Sequence, residues 1–323
     1  MTTPTWTACL FALLSPLPPP EKTLRLGPPA IEWQESLEKA RAAARAEGKP
    51  LLVDFWADWC GFCKKLDRET FAHEDVIFFV NERFVAVKVD VVAEPEVARE
   101  HAVSGLPTVV FLAPEGTEVR RVVGFRDPEA FLEEARRASE AGATLAKLRA
   151  EAEKDPGDPD LQRAYARALF AAGDLAGAAR VLEKALRALG GGAPGRAGLL
   201  LDLGDALRKA GKLAEARDAY RELLSLEPAK AGDERKKALL PLARALVSLK
   251  DHDAALPLLS EFLAEPAPPG DDRLEALFLR GFVHAVKKDA ARAMADLEAA
   301  RKADPGGRWG LRAAAILEIL EPR

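Results

Sequence analysis

Two cysteines separated by two residues, Cys60 and Cys63, are the clearest indication of chemistry in this chain. They follow an apolar run, Leu51–Trp56, that is typical of a buried strand, and a helix is predicted to open at Cys60. Residues three apart on a helix are neighbours, so the two sulfurs can close a disulfide. The free N–H groups and the dipole of a helix N-terminus favour a thiolate at Cys60. The pattern predicts thiol–disulfide exchange, with Cys60 as the attacking sulfur and Cys63 as the resolving one.

Such a pair could alternatively be half of a zinc site or two incidental thiols. The one other cysteine is Cys9, and the four histidines are scattered without a second paired motif. Redox chemistry is therefore favoured over metal binding. We expect no metal ligand, and no cofactor other than the redox-active disulfide of Cys60 and Cys63.

A carboxylate, Asp54, lies inside the apolar run, six residues before Cys60. Burying a carboxylate costs on the order of several kcal/mol unless it is paired or protonated. Desolvation would raise the pKa of Asp54 towards neutral pH, where the group could transfer a proton. The alternative interpretation is an ion pair between Asp54 and Lys88 that is only structural.

The segments around the cysteines predict an alternation of helices and strands. Residues 31–47 carry strong helix formers, with Trp33 and Leu37 on one face, and Gly48 ends this helix. The helix that holds the cysteines should run to about Thr70. Further along the chain we expect short helices at 75–81 and 94–102, strands at 109–112 and 118–123, and a last helix at 128–140.

Three segments resemble thioredoxins in the same order along the chain. LVDFWADWCGFCK at 52–64 resembles the redox-active segment, VSGLPTVVF at 103–111 resembles the loop with a cis-proline, and VGF at 123–125 resembles the glycine before the last helix. The closer similarity is to the C-terminal thioredoxin-like domain of DsbD-type transmembrane disulfide reductases. It covers about residues 31 to 138 and implies an α/β thioredoxin fold, a central mixed sheet flanked by helices.

The resemblance also implies roles for individual residues. An aspartate at the position of Asp54 takes a proton from the inner thiol, Cys63, with a lysine beside it on the neighbouring strand, which Lys88 matches. If the peptide bond before Pro107 is cis, the backbone of Leu106 faces an extended substrate segment. The residues expected to contact substrate are Trp59, Gly61, Phe62, Leu106, Pro107 and Gly124.

The dipeptide between the cysteines departs from the thioredoxin pattern. It is Gly61-Phe62, where thioredoxins typically have Gly-Pro and where oxidases and isomerases have His or Tyr at the second place. Without a histidine there is no imidazolium to stabilise the thiolate further. A reductase is therefore favoured, but Phe62 leaves the direction of electron flow open.

The second half of the chain repeats itself. An alanine recurs every 38 or 39 residues within similar segments, and a small residue precedes it where two helices would cross closely. These segments resemble tetratricopeptide repeats, which form an all-α solenoid of helix-turn-helix units with a groove for peptides or partner proteins. A spacer or dimerisation module is the alternative. About four repeats are predicted, marked by Ala178, Ala216, Ala255 and Ala293, with capping helices at 145–154 and 309–320.

Composition limits the remaining possibilities. The chain has 323 residues, 48% of them hydrophobic, and a formal net charge of −4, which together predict two globular domains and no nucleic-acid partner. The expected division is a leader or Pro-rich linker at 1–30, a thioredoxin-like domain at 31–141 and the repeats at 142–323. Residues 8–14 are an apolar run that could belong to a signal peptide, although no basic residue precedes it. An extracytoplasmic location is favoured over a cytoplasmic one.

The resulting hypothesis is an enzyme, a thiol–disulfide oxidoreductase that reduces protein disulfides. Its partners would be protein thiol or disulfide substrates, an upstream electron donor and a peptide or protein ligand of the repeat groove. The alternative is a chaperone-like protein that binds unfolded clients through the repeats, with the redox site secondary. The intact pair of cysteines favours the enzyme.

Overall fold

The computed structural model describes residues 29–191, 193–264 and 270–320. The first half of the chain forms a five-stranded sheet with the strand order β1-β3-β2-β4-β5. β1, β3 and β2 run parallel to one another, whereas β4 is antiparallel to both β2 and β5. The strands are β1 at Trp33–Gln34, β2 at Leu51–Trp56, β3 at Val85–Asp90, β4 at Thr108–Leu112 and β5 at Glu118–Val123.

Helices cover both faces of this sheet, and a separate apolar core lies on each face. β2 is central and buried on both faces, which explains its continuous apolar sequence. The helices of this half are α1 at Leu37–Glu47, α2 at Gly61–Lys65, α3 at Glu74–Arg83, α4 at Pro95–Glu100 and the first part of α5 at Pro128–Lys154. A π-helical turn at Leu66–Thr70 continues α2 to the predicted end.

The first helix begins later than the sequence predicted. Residues 33 and 34 pair with β3 as a short strand, and Ser36 caps the helix by accepting a hydrogen bond from the backbone of Lys39. The predicted helix over residues 31–47 is therefore wrong for its first six residues. Its end is correct, since Gly48 takes the left-handed conformation, with φ 65°.

Helix α5 is one element where two were predicted. It runs without a break from Pro128 to Lys154, so the expected helices at 128–140 and 145–154 are continuous and residue 141 lies inside a helix. Gly142, the residue most able to break the helix, packs tightly, because a Cβ there would lie 3.1 Å from Cβ of Pro50. Close packing therefore explains the glycine.

The second half of the described chain is helical. Its apolar core includes Leu145 of α5 and also Ala113, which lies at the turn between β4 and β5 in the first half of the chain. The side chain of Thr117, in the same turn, donates to Asp174 at 3.3 Å. This turn lies where β4 ends and β2 begins, whereas the cysteines follow the other end of β2. The repeats and the cysteines therefore lie at opposite ends of the sheet.

Pairs of antiparallel helices make up this half. Four alanines at the recurring position are nearly or fully buried, as expected for close crossings. The helices are α6 at Pro159–Ala171, α7 at Leu175–Ala188, α8 at Arg196–Lys209, α9 at Leu213–Ser225, α10 at Pro228–Ser248, α11 at His252–Ala264, α12 at Asp271–Val286, α13 at Ala290–Ala303 and α14 at Arg308–Leu320.

The predicted fold class, an α/β domain followed by an all-α repeat array, is confirmed. Among the described residues, no helix combines the length and the apolar character needed to cross a bilayer. The described residues begin at 29. Cys9 and all but the last two residues of the predicted leader therefore lie outside them.

Candidate active site

Cys60 and Cys63 form a disulfide at the start of α2, with their Cα atoms 5.3 Å apart. Cys60 is the N-cap residue, and its Sγ accepts a hydrogen bond from the backbone N–H of Cys63 at 3.1 Å. A sulfur in this place receives the unpaired N–H groups of the helix start, which stabilise a thiolate after reduction. Both cysteines are nearly buried, and the sulfurs pack against Ala57 and Leu106.

A shallow groove of about 380 Å³ borders the disulfide. Two aromatic side chains stand out of the surface beside it, Trp59 with 74% of its area exposed and Phe62 with 63%. Gly61 lies between the cysteines, and a Cβ there would contact nothing. Leu106 lines the opposite wall of the groove. Exposed aromatic rings around a reactive bond are suited to contact with a protein segment.

The loop behind the groove has the predicted geometry. The peptide bond between Leu106 and Pro107 is cis, and Pro107 is buried. The backbone N–H of Gly124 donates to the carbonyl of Pro107 at 2.8 Å, and Gly124 has a φ of 82°, which favours glycine. The side chain of Thr108 donates to the carbonyl of Gly105 at 2.7 Å. Leu106 therefore reaches the groove, whereas Pro107 and Gly124 support it from behind.

Asp54 and Lys88 lie opposite each other in the register of β2 and β3. The ammonium of Lys88 donates to Oδ2 of Asp54 at 3.0 Å, and Asp54 is 2% exposed. Oδ1 of Asp54 is also buried and has no hydrogen-bond partner. Burial raises the pKa of Asp54 to about 6, although the charge of Lys88 acts in the opposite direction. A carboxyl group with this pKa can gain or lose a proton near neutral pH.

A second carboxylate, Asp67, completes this cluster and was not predicted from the sequence. Lys88 donates to Asp67 as well as to Asp54. Burial disfavours the charge of Lys88, but the two carboxylates overcome this effect and raise its pKa above the ordinary value. The sequence did contain an indication of this position. Asp67 follows Cys63 by four residues and so lies on the same face of the helix.

Three aromatic rings surround the same ammonium group. Lys88 Nζ lies 4.9 Å from the ring centroid of Trp33, 5.6 Å from that of Trp56 and 5.4 Å from that of Phe71. Cation–π attraction and the two carboxylates therefore hold Lys88 in its charged form. A charged Lys88 stabilises the ionised form of Asp54, which would otherwise have a still higher pKa.

The arrangement can perform thiol–disulfide exchange. It contains a dithiol pair at a helix N-terminus, an apolar groove for a protein segment and a buried carboxyl group that titrates near neutral pH. Among the described residues, no group of three or more His, Cys, Asp or Glu side chains is placed to hold a metal ion. The roles assigned to Asp54, Lys88 and the groove residues remain predictions.

Two family models match the chain. Residues 37–139 match the thioredoxin-like domain, and residues 166–234, 201–272 and 240–308 match the tetratricopeptide repeat. These matches confirm the predicted resemblance of the first part to thioredoxins and of the second part to tetratricopeptide repeats.

Curated relatives match the first part of the chain. The thiol:disulfide interchange protein DsbD of Klebsiella pneumoniae is 38% identical over an alignment of 120 residues, and the match covers 32% of this chain and 20% of that protein. The protein DsbD 2 of Pseudomonas aeruginosa is 34% identical over 108 residues, 32% of this chain and 18% of that protein. The chain thus spans about one fifth of the length of these relatives. A solved thioredoxin from Thermus thermophilus is 32% identical, covers 36% of this chain and 92% of its own, and has a TM-score of 0.34.

Proposed function

We propose that this chain, in which a thioredoxin-like domain is followed by tetratricopeptide repeats, is a thiol–disulfide oxidoreductase that reduces disulfides in protein substrates. The observation that carries the proposal is the Cys60–Cys63 disulfide at a helix N-terminus, bordered by the exposed rings of Trp59 and Phe62. A buried disulfide with a purely structural role would not need two solvent-exposed aromatic side chains beside it.

The reaction begins with the reduced pair. The Cys60 thiolate attacks one sulfur of the substrate disulfide, a mixed disulfide forms, and the other substrate sulfur leaves as a thiolate and takes up a proton. Cys63 then loses its proton to the Asp54 carboxylate and attacks Cys60 Sγ. The second substrate sulfur leaves, and the Cys60–Cys63 disulfide forms. Two electrons have moved from the enzyme to the substrate, and a donor dithiol must return them.

The reductive direction rests on the dipeptide between the cysteines. Neither Gly61 nor Phe62 supplies a positive charge that would stabilise the Cys60 thiolate beyond the effect of the helix. A strongly stabilised thiolate makes a disulfide more oxidising, so its absence favours a reductant. The electron donor would be a second dithiol protein that can approach the same exposed groove.

The reduction potential tests this direction. The pair is equilibrated in a glutathione series, its free thiols are alkylated, and the mass gives the reduced fraction. We expect a potential near about −270 mV, as in thioredoxins, whereas a value above about −200 mV would indicate an oxidant or isomerase. If no intramolecular disulfide forms at any ratio, the proposed activity is wrong.

We further propose that the repeats recruit a protein partner and that the enzyme works outside the cytoplasm. The first proposal is supported by the match to the tetratricopeptide repeat, and the second by the similarity to DsbD-type reductases. Comparing the full chain with one that ends after Lys154, the last residue of α5, tests the first, since an end at residue 141 would cut this helix. Equal rates on every protein disulfide would exclude a role of the repeats in catalysis. Fractionation of the source cells tests the second.

A further inference from the structure

A pocket of about 200 Å³ lies between the first and second repeats. Its walls come from α6 and α8, and its floor comes from α7. Five side chains give it an apolar interior: Ala166, Phe170, Ala178, Leu182 and Ala206. The pocket belongs to the repeat half of the chain, so its role can be tested separately from the redox activity.

The next repeat shows what such a position can hold. Leu182 and Tyr220 occupy the same place in successive repeats, 38 residues apart, and so do Ala166 and Gly204. Tyr220 is fully buried, and its ring packs so tightly on Gly204 that a Cβ there would overlap it. In the second repeat, Tyr220 therefore fills this place. In the first repeat, the shorter Leu182 leaves the corresponding place open.

The tyrosine of the second repeat also makes a polar contact. Its hydroxyl donates to Oδ1 of Asp205 at 2.7 Å, and Asp205 belongs to the rim of the open pocket. At the other part of the rim, Arg167 forms two hydrogen bonds to Asp202, at 3.0 and 3.1 Å. The open pocket thus combines apolar walls with donors and acceptors at its mouth, which suits an aromatic side chain with a polar end.

Basic groups outnumber acidic ones around this mouth. Asp202 accepts from Arg163 as well as from Arg167, and Asp205 has Arg208 at 3.5 Å. Lys209 lies 4.8 Å from the ring centroid of Phe170, which is a pocket wall. Arg163 also lies 3.9 Å from Glu234, so four cationic side chains face three carboxylates. A ligand with negative charges next to its aromatic side chain complements this surface.

We propose that this pocket binds a segment of a partner protein, and that the segment inserts a tyrosine or phenylalanine side chain flanked by acidic residues. The inserted ring occupies in the first repeat the place that Tyr220 occupies in the second. A single buried aromatic anchor with a charged surround is a common source of binding energy in protein interfaces.

Binding of a defined peptide to the full chain tests the proposal. The probe is acetyl-Glu-Asp-Tyr-Asp-Glu-amide, titrated by calorimetry up to about 1 mM, the range expected of one anchor residue. We expect saturable binding, a loss of at least about tenfold when alanine replaces the tyrosine, and weaker binding when lysines replace the acidic residues. No binding of the tyrosine peptide, or equal binding of the alanine peptide, would overturn the proposal. Equal binding of the lysine peptide would overturn its acidic part.

Variants of the chain test whether the peptide binds in this pocket. Ala166→Gly with Leu182→Tyr gives the first repeat the residues of the second and should abolish binding, because the pocket is then filled. Phe170→Ala, which removes one wall, should weaken binding at least about tenfold and decides the matter if the double variant does not fold. Lys184→Ala, an exposed change on α7 outside the pocket, is the control and should bind as the unchanged chain does. Unchanged affinity in a folded double variant, or in Phe170→Ala, would refute the assignment.

Discussion

Replacing Asp54 by asparagine should change how the stability of the redox domain depends on pH. Burial raises the pKa of Asp54 from 3.8 to about 6. Between these values the unfolded chain releases the proton while the folded chain retains it, so the free energy of unfolding falls as the pH rises. Above about pH 6 both states are ionised, and the loss is complete.

The size of the effect follows from the same two values. A tenfold change in acidity corresponds to about 1.4 kcal/mol, so the rise from 3.8 to about 6 corresponds to about 3 kcal/mol. The asparagine side chain does not titrate, so the Asp54→Asn chain should lack this loss. The difference in unfolding free energy between the two proteins should therefore shift by about 3 kcal/mol in favour of the variant from about pH 3.5 to about pH 7. Carboxyl groups outside this cluster are the same in both proteins, so their contributions cancel in the difference.

Denaturant unfolding at a series of pH values measures this difference, with the disulfide intact and tryptophan fluorescence as the signal, to which Trp33, Trp56 and Trp59 contribute in the redox domain and Trp309 in the repeats. Asp58→Asn, which removes a carboxylate whose side chain is 88% exposed, is the matched control. A carboxyl-carbon NMR titration of Asp54 gives the pKa directly. Parallel stability curves for the Asp54→Asn and unchanged chains, or an Asp54 midpoint near the ordinary value for aspartate, would refute the reasoning.

Three further changes have defined outcomes. Asp67→Asn removes a negative charge that raises the pKa of Asp54 and leaves Lys88 to Asp54 alone, so the Asp54 midpoint should fall below about 6 in the NMR titration; a rise would contradict the pairing. Cys63→Ser should stop the reaction at the mixed disulfide, so a covalent complex between Cys60 and substrate should accumulate in mass spectra, and rapid release of product would show that another group resolves it. Gly204→Ala should lower the free energy of unfolding of the repeats by about 1 to 3 kcal/mol, because the new Cβ overlaps a neighbouring tyrosine ring, whereas Gly190→Ala, with open space around it, should be close to neutral in the same thermal melts.

The sequence was most informative where a local pattern and a resemblance agreed. The apolar run around Asp54 predicted a buried strand, and the expected neighbour Lys88 lies directly across from it in the register. The bounds of β5 were also correct, because its polar and apolar residues stand between clear turn signals. At these positions the sequence close by already determines the structure.

Other features depend on residues far apart in the chain. Trp33 has the pattern of a helix residue, but pairing with β3 makes it a strand residue and brings its ring to Lys88. Asp67 joins the same cluster across 21 residues. The glycine at position 142, inside α5, is explained by close packing against Pro50, 92 residues earlier. A propensity or a helical period contains no information about such partners.

The unbroken helix α5 has a consequence for which disulfides the protein can reach. Its 27 residues extend about 40 Å and belong to the cores of both halves, so no hinge within the helix lets the repeats swing towards the groove. The length of β2 alone separates the attachment end of the sheet from the cysteine end by about 17 Å. A protein held on the repeats must cross this gap with its own chain, which needs at least about five extended residues. If the repeats hold a client protein as proposed, the slack in the client's own chain, and not a movement of the repeats about α5, sets the effective concentration of its disulfide at Cys60.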